Sequence, residues 1–485
     1  MKGDEDLRRI HPAIPLAAFL FLSAGLFIAV PNALRFAFPA LAALTAIVLF
    51  RQSRTVYIQF CFWLWFLSPL VRRLVDFRTE FVATSPLLLA PFFAASISGV
   101  VLFRNLRTLA QRQNAGAIPF ACALGGIAFG TLYGLTRYAP ADVARGVVNW
   151  IAPLLFAFFL YQESLGQPDR YLRFRAAVTR TLIGGTLALG IYGIFQFFLL
   201  LPWDEAWMSG LKNYAFGQPQ RLEVRVFSTM NAPATFASYL MAGLLLVFAV
   251  LTESDAHEPR RQRLVAILAA PVGLLALALT TSRSLWLGLV FGILYLAFTL
   301  PSRGRVRVVA SVLLTLVVAG IATQAPGIKQ VVTARLRSFS SGASDISASA
   351  RISGHTDALA HLASEPLGEG MGSTDADHAT DGSDDRLGPH DSTLLELLYA
   401  LGGPGTLLYA GGLAFGLLRI FFPRRATPTD PIAYALRAIL FAFFAQSLLT
   451  SIMVGVPGFL VWTCLALALA AIDQRHTDHR QLRYA

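Results

Sequence analysis

Residues 267–298 read "ILAAPVGLLALALTTSRSLWLGLVFGILYLAF". Two apolar stretches, centred near residues 272 and 292, are parted only by the polar turn Thr280-Thr281-Ser282-Arg283-Ser284. A helix needs about 20 predominantly apolar residues to cross the ~30 Å hydrocarbon core of a bilayer. Each stretch approaches that length, and the turn is so short that Arg283 must sit at or inside the membrane boundary. The fold therefore reads as helices that cross a membrane in close succession.

The same pattern extends in both directions. Apolar runs centred near residues 22, 42, 64, 92, 125, 154, 191, 239, 272, 292, 316, 413, 442 and 465 predict an all-α, polytopic transmembrane helical bundle of about 12–14 spans. The first run, Ile14 to Val30, follows Arg8 and Arg9 but lacks a convincing small-residue cleavage site, so it reads as an uncleaved anchor. Apolar residues make up 55% of the chain and charged residues only 14%, which confines water-facing structure to the loops. The formal charge of +12 is divided among many short loops with no basic face or RNA-binding motif, and this argues against a nucleic-acid partner. Cys61, Cys122 and Cys464 fall inside apolar runs and read as packing residues, neither a disulfide framework nor a metal cluster.

Arginine placement supplies an orientation. With a cytoplasmic N-terminus, alternate loops carry Arg51 and Arg54; Arg104, Arg107 and Arg112; Arg170, Arg173, Arg175 and Arg180; Arg260, Arg261 and Arg263; Arg303, Arg305 and Arg307; then Arg424 and Arg425, followed by an Arg-containing tail. That distribution follows the positive-inside rule. The expected organisation is an N-terminal bundle over residues 1–324, one large external loop over 325–391, C-terminal helices over 392–472 and a cytoplasmic tail over 473–485.

Three arginines fall on the opposite side. Arg225 lies in "RLEVRVFSTMNAPATFASYL", Arg283 in the turn quoted above, and Arg351 opens "ARISGHTDALAHLASEP" in the large loop, a stretch with helical spacing that Pro366 ends. An arginine at membrane depth costs about 2.5–3.5 kcal/mol on insertion scales, so it faces protein or a wet cavity. Taken singly, each has an alternative as a snorkelling or helix-capping residue. Together they suit one anion, since guanidinium groups bind phosphate oxygens through paired hydrogen bonds and keep their charge when partly desolvated.

Further on, "GPHDSTLLELLYALGGPGT" (388–406) holds Thr393 and Glu396 in capping-box spacing, predicting a helix from near Leu394 to Gly402 and Gly403, with Pro404 opening the next element. His390 then precedes a helix N-terminus, whose dipole favours the neutral ring, while Asp391 favours the cation or orients the ring. A neutral histidine accepts a proton. The alternative is a solvated loop histidine like His355, His361 and His378. "PLGEGMGS" reads as a glycine turn, since no strand precedes it and no Gly-Lys-Ser/Thr follows as a phosphate loop requires. The acidic run "DADHATDGSDD" does not match calcium-loop spacing and reads as solvated loop.

In order and spacing, "RVFSTMNAPATFASYL", "TSRS", "ARISGHTDALAHLASEPLGEGMG" and "PHDSTLLELLYALGGPGT" resemble the O-antigen ligase and O-antigen polymerase superfamily, bacterial inner-membrane glycosyltransferases acting on undecaprenyl-pyrophosphate-linked glycans. The likeness covers about residues 225–406, with Asp391 standing where ligases usually carry Asn, Ser or Gln. It implies a glycosyltransferase C-type helical fold, a periplasmic large loop, a pyrophosphate held by Arg225, Arg283 and Arg351, and His390 as base. The chemistry expected is a single inverting displacement from an already activated donor, with no cofactor or metal. The implied partners are an undecaprenyl-pyrophosphate-linked oligosaccharide, an acceptor glycan on a lipid-linked repeat or on lipid A core, membrane lipids and envelope polysaccharide assembly proteins. Within the superfamily, Asp391 and an N-terminal half unlike a ligase favour a polymerase over a ligase. A lipid-linked oligosaccharide flippase is the alternative of another class, but transporters place polar residues near the midplane in related halves, a pattern this sequence lacks. A non-catalytic scaffold would require neither the three arginines nor the histidine.

Overall fold

The computed structural model describes residues 11–106, 115–211, 216–252, 260–322, 324, 333, 355–356, 359–360, 363–373, 392–422 and 430–484. Its α-helices are α1 (Ala13–Ala29), α2 (Pro31–Gln52), α3 (Arg54–Arg78), α4 (Ala90–Ser96), α5 (Gly99–Arg104), α6 (Ile118–Gly134), α7 (Pro140–Ser164) and α8 (Pro168–Leu199). They continue with α9 (Pro202–Leu211), α10 (Pro233–Thr252), α11 (Arg260–Leu279), α12 (Arg283–Thr299), α13 (Ser302–Ala322), α14 (Thr393–Phe421), α15 (Pro431–Ala445) and α16 (Gly455–Tyr484). Eleven helical segments among the described residues are long and apolar enough to cross a membrane, and Ala13–Ala29, Arg283–Thr299 and Pro431–Ala445 are shorter apolar helices. The all-α, polytopic reading holds: the chain is a multi-pass membrane protein.

Local sequence explains where the helices start. Helices α2, α7, α8, α9, α10 and α15 each open on a proline, whose fixed φ suits the first turn and whose missing N–H would have had no helical partner there. Side chains cap others: Ser53 accepts from the amide of Val56 at 3.4 Å, and Asp430 accepts from that of Ile432 at 3.0 Å.

The chain divides into two compact units that interleave in sequence. The first comprises Met1–Val100, Pro168–Leu289 and Leu296–Val332; the second comprises Val101–Gln167, Val290–Tyr295 and Thr333–Ala485. In the first, α10 is buried around nearly its whole circumference, as a helix that is apolar on every side requires. It packs on α8 and α11, where Gly185, Gly243 and Gly273 admit Tyr239, Thr186 and Leu244. Helix α13 is the opposite case, with Leu313, Leu314, Val317 and Ile321 exposed, an unfavourable surface in water but an ordinary one against acyl chains.

In the second unit, α6 lies along α14 and α7 along α16. Gly126 faces the carbonyl of Gly405, and Gly412 faces Cys122, so the α6 and α14 backbones approach closely. The buried rings of Phe120, Phe158, Tyr161 and Trp462 fill the space between helices, and Trp462 Nε1 donates to Tyr409 Oη at 3.0 Å.

Candidate functional site

Arg225 belongs to an irregular segment between α9 and α10 that the rest of the first unit grips closely. The amide of Arg225 donates to the carbonyl of Phe216 at 2.8 Å, beside a single antiparallel bridge between Gly217 and Val224. One residue on, the amide of Val226 donates to the carbonyl of Leu279 at 3.1 Å, the last residue of α11. The segment is thereby laid against the turn between α11 and α12. The Arg225 side chain continues that contact: Nε donates to Thr281 Oγ1 at 2.7 Å and reaches the carbonyl of Thr280 at 3.4 Å.

Arg283 opens α12 two residues after Thr281. Thr281 takes φ +55°, an uncommon conformation for a β-branched residue, and this sharp reversal lets α12 start at once. Trp286 Nε1 ties the new helix back by donating to the carbonyl of Leu277 at 3.0 Å. Arg225 and Arg283 are both half-buried. Arg225 is thus bonded to the turn that leads into Arg283, although 58 positions separate the two arginines in sequence.

Behind this segment lies a buried polar cluster. Arg73 of α3 and Asp204 of α9 form an ion pair at 2.5 Å, both side chains being 0% exposed. Asp204 Oδ2 also accepts from Gln196 Nε2 at 2.8 Å and from Tyr192 Oη at 3.0 Å, so its carboxylate is well supplied with donors. The cluster reaches the Arg225 segment through the backbone. Arg73 donates to the carbonyl of Ser228 at 2.6 Å, and Gln196 Oε1 accepts from the amides of Phe227 at 3.0 Å and Ser228 at 2.8 Å. Ser228 itself takes φ +54° and donates through Oγ to the carbonyl of Leu189 at 2.7 Å. The Arg73 guanidinium lies 4.8 Å from the Phe227 ring centroid, a cation–π distance.

A neighbouring cluster organises the chain after α3. Asp76 pairs with Arg35 at 3.0 Å and with Arg72 at 3.3 Å. Arg35 further donates to Thr79 Oγ1 and the carbonyl of Glu80, and Arg72 to the carbonyls of Val82 and Ala83. Charges that would be costly inside a membrane end are here spent on binding a loop.

In the second unit the glycine stretch after Pro366 is not a phosphate cradle. Its amides are already engaged: those of Glu369 and Gly370 donate to the carbonyl of Tyr399 at 3.0 and 2.9 Å, and that of Met371 donates to Gly130 at 3.0 Å. In return the amide of Gly403 donates to the carbonyl of Pro366 at 2.8 Å. Gly402 breaks α14 with φ +64°, and a Cβ there would strike the carbonyl oxygen of Leu367. The predicted interruption at Gly402 is therefore present, and its cause is tertiary: residues 366–371 enter where the helix opens. At the edge of this contact Arg137 pairs with Glu365 at 2.9 Å, a bond that raises the arginine further above its ordinary range. Burial pushes the Tyr138 hydroxyl up, and the carboxylate of Glu369 acts in the same direction.

The start of α14 differs by one residue from the sequence expectation. The cap is Ser392, whose Oγ accepts from the amide of Leu395 at 3.2 Å. Thr393 and Glu396 do not close a capping box. Thr393 Oγ1 donates to the carbonyl of Thr450 at 3.0 Å and accepts from the amide of Ile452 at 3.1 Å, and Glu396, 1% exposed, accepts from Ser451 Oγ at 2.7 Å. Tertiary partners in residues 450–452 outcompete the local cap.

Of the predicted site residues, Arg225 and Arg283 are drawn to one turn, and Arg351 and His390 lie outside the described residues. So do Asp391, His361, His378 and the acidic run; in the stretch after Arg351, the described residues 355–356, 359–360 and 363–364 are helical, as its spacing predicts. The sequence reading missed Arg73, Gln196 and Asp204, and gave Glu396 only a capping role. Charged residues within or beside apolar helices were the available signal, but nothing local paired them.

These features define a class: a polytopic all-α membrane protein that docks an arginine-bearing segment against the turn between two helices. Residues 264–410 match the family model described as O-antigen ligase, and this match bears out the resemblance to the O-antigen ligase and polymerase superfamily. It supports a function of the O-antigen ligase or polymerase type, that of a membrane glycosyltransferase-like enzyme with lipid-linked glycan substrates. The matched region contains Arg283, Arg351 and His390 and begins after Arg225. The chain matches none of the curated proteins compared with it.

Proposed function

We propose that this protein polymerises lipid-linked polysaccharide repeats at the periplasmic face of the bacterial inner membrane. In this reading the bond between the anomeric carbon of the donor glycan and undecaprenyl pyrophosphate breaks as an acceptor sugar oxygen attacks from the opposite side. Arg225, Arg283 and Arg351 bind the pyrophosphate and neutralise the charge that develops as it leaves. His390 takes the proton of the acceptor hydroxyl, a step worth typically about 10²- to 10⁴-fold. The product is an inverted glycosidic bond and free lipid pyrophosphate, and no nucleotide sugar or metal is needed to activate the donor.

The observation that carries the reading is the family match over 264–410 together with the docking of Arg225 on the turn that leads into Arg283. Transfer to lipid A core is the second reading, favoured by the description of the matching family as a ligase. Replacing His390 with Ala and analysing cell-surface glycan separates the two. A polymerase loses long chains while one repeat stays attached to core; a ligase loses all attachment. Undiminished glycan would remove His390 from the mechanism.

A further inference from the structure

Arg73, Gln196 and Asp204 sit in three different elements; Asp204 binds the other two, and the bonds of Arg73 and Gln196 converge on residues 227 and 228, two and three positions after Arg225. We propose that they are positioning residues for donor binding, acting through the Arg225 guanidinium. This inference rests on the pyrophosphate-binding role proposed for Arg225.

The geometry allows little slack. The carbonyl of Ser228 accepts from Arg73 at 2.6 Å while its amide donates to Gln196 at 2.8 Å, so both faces of that peptide segment are fixed. Ser228 takes φ +54°, and a non-glycine residue stays there only when its surroundings determine it. On the near side, the Val226 amide is bonded to Leu279, and a Cβ on Gly193 would come within 2.8 Å of the Val226 side chain. Arg225 is thereby set between a clamped segment, 226–228, and its own bond to Thr281. Small displacements of a binding group cost large factors in rate, so a brace of this kind acts on substrate affinity as well as on folding.

The brace is also more elaborate than an ion pair needs. Arg73 and Asp204 could satisfy each other alone, whereas Gln196 divides its amide between Asp204 and the two backbone N–H groups of the loop. Gln196 is the link between the buried charges and the Arg225 segment.

The test is a double-mutant cycle on purified full-length protein, with an undecaprenyl-pyrophosphate-linked oligosaccharide as donor. Gln196→Met removes the loop contacts but leaves the Arg73–Asp204 pair; Asp204→Asn serves as a second variant, and thermal unfolding is followed for each. The expected result for Gln196→Met is a donor KM raised roughly tenfold, from lost substrate binding, together with a fall in kcat, because Arg225 also faces the charge that develops on the leaving pyrophosphate. On an Arg225→Ala background the same substitution should raise KM by less than about twofold, because the group it positions is absent. An equal rise on both backgrounds, or a lowered unfolding temperature with unchanged donor KM, would overturn the positioning role and leave the proposed transferase activity standing. Wild-type protein that consumes no such donor would overturn both.

Discussion

Two segments bearing the family resemblance are held by opposite means. Residues 227–228 are gripped by side chains: a buried ion pair, a glutamine amide and a cation–π contact. Residues 366–371 are gripped by backbone, with their amides on Tyr399 and Gly130 and their carbonyls against glycines. The difference follows from what each segment carries. One presents an arginine beside apolar helices, and buried countercharge and donors hold its backbone in place. The other carries a single carboxylate, Glu369, and no arginine, and it enters a helix break, for which glycine's tolerance of positive φ and close approach is enough.

That contrast can be broken at its strongest point first. Arg73→Met leaves Asp204 buried without its cation, and removing one partner of a buried pair costs about 3–5 kcal/mol. The expected outcome is a large fall in unfolding temperature and in membrane yield, measured in detergent solution, with little protein surviving at 37 °C. Next comes Gly402→Ala, which forces an L side chain to φ +64° against the Leu367 carbonyl. At φ +64° and ψ 179° the backbone lies in a region essentially confined to glycine, which costs another residue about 1–3 kcal/mol, so a distinct but smaller fall in the same assay is expected. Protease sensitivity gained near residues 366–371 would show that the two segments part.

Smaller effects sharpen the comparison. Glu396→Gln keeps an acceptor for Ser451, so a loss below about 1.5 kcal/mol is expected, the scale of one hydrogen bond. Arg137→Ala removes a pair whose side chains are 38% and 39% exposed, and the unfolding temperature should shift by no more than about 1 kcal/mol implies. A shift as large as that of Arg73→Met would mean that surface charge and not backbone insertion holds residues 365–371.

The same contrast explains what could be read in advance. The apolar spans and the helix starts at prolines leave local marks, because apolar length and proline act on their own neighbours; the glycines at 402 and 403 mark where α14 can open, while the entry of residues 366–371 is what opens it. Arg225 and Arg283 could be singled out since each lay opposite the loops to which the positive-inside reading assigns the arginines. Their meeting at Thr281 could not, because it depends on how α11 and the segment before α10 pack. Arg73 and Asp204 lie 131 positions apart and share no motif, so only the folded chain pairs them. The capping spacing of Thr393 and Glu396 misled by one residue, since residues 450–452 offered those side chains better partners.

The central claim is that fixed arginines bind the donor pyrophosphate while His390 accepts a proton from the incoming sugar. Its most direct test measures donor affinity and turnover separately, on purified wild-type, Arg225→Ala and His390→Ala proteins with an undecaprenyl-pyrophosphate-linked oligosaccharide. The account predicts that His390→Ala binds donor as the wild type does and loses about 10²- to 10⁴-fold in turnover, whereas Arg225→Ala loses donor affinity. Turnover by His390→Ala at the wild-type rate, or undiminished donor affinity in Arg225→Ala, would contradict it.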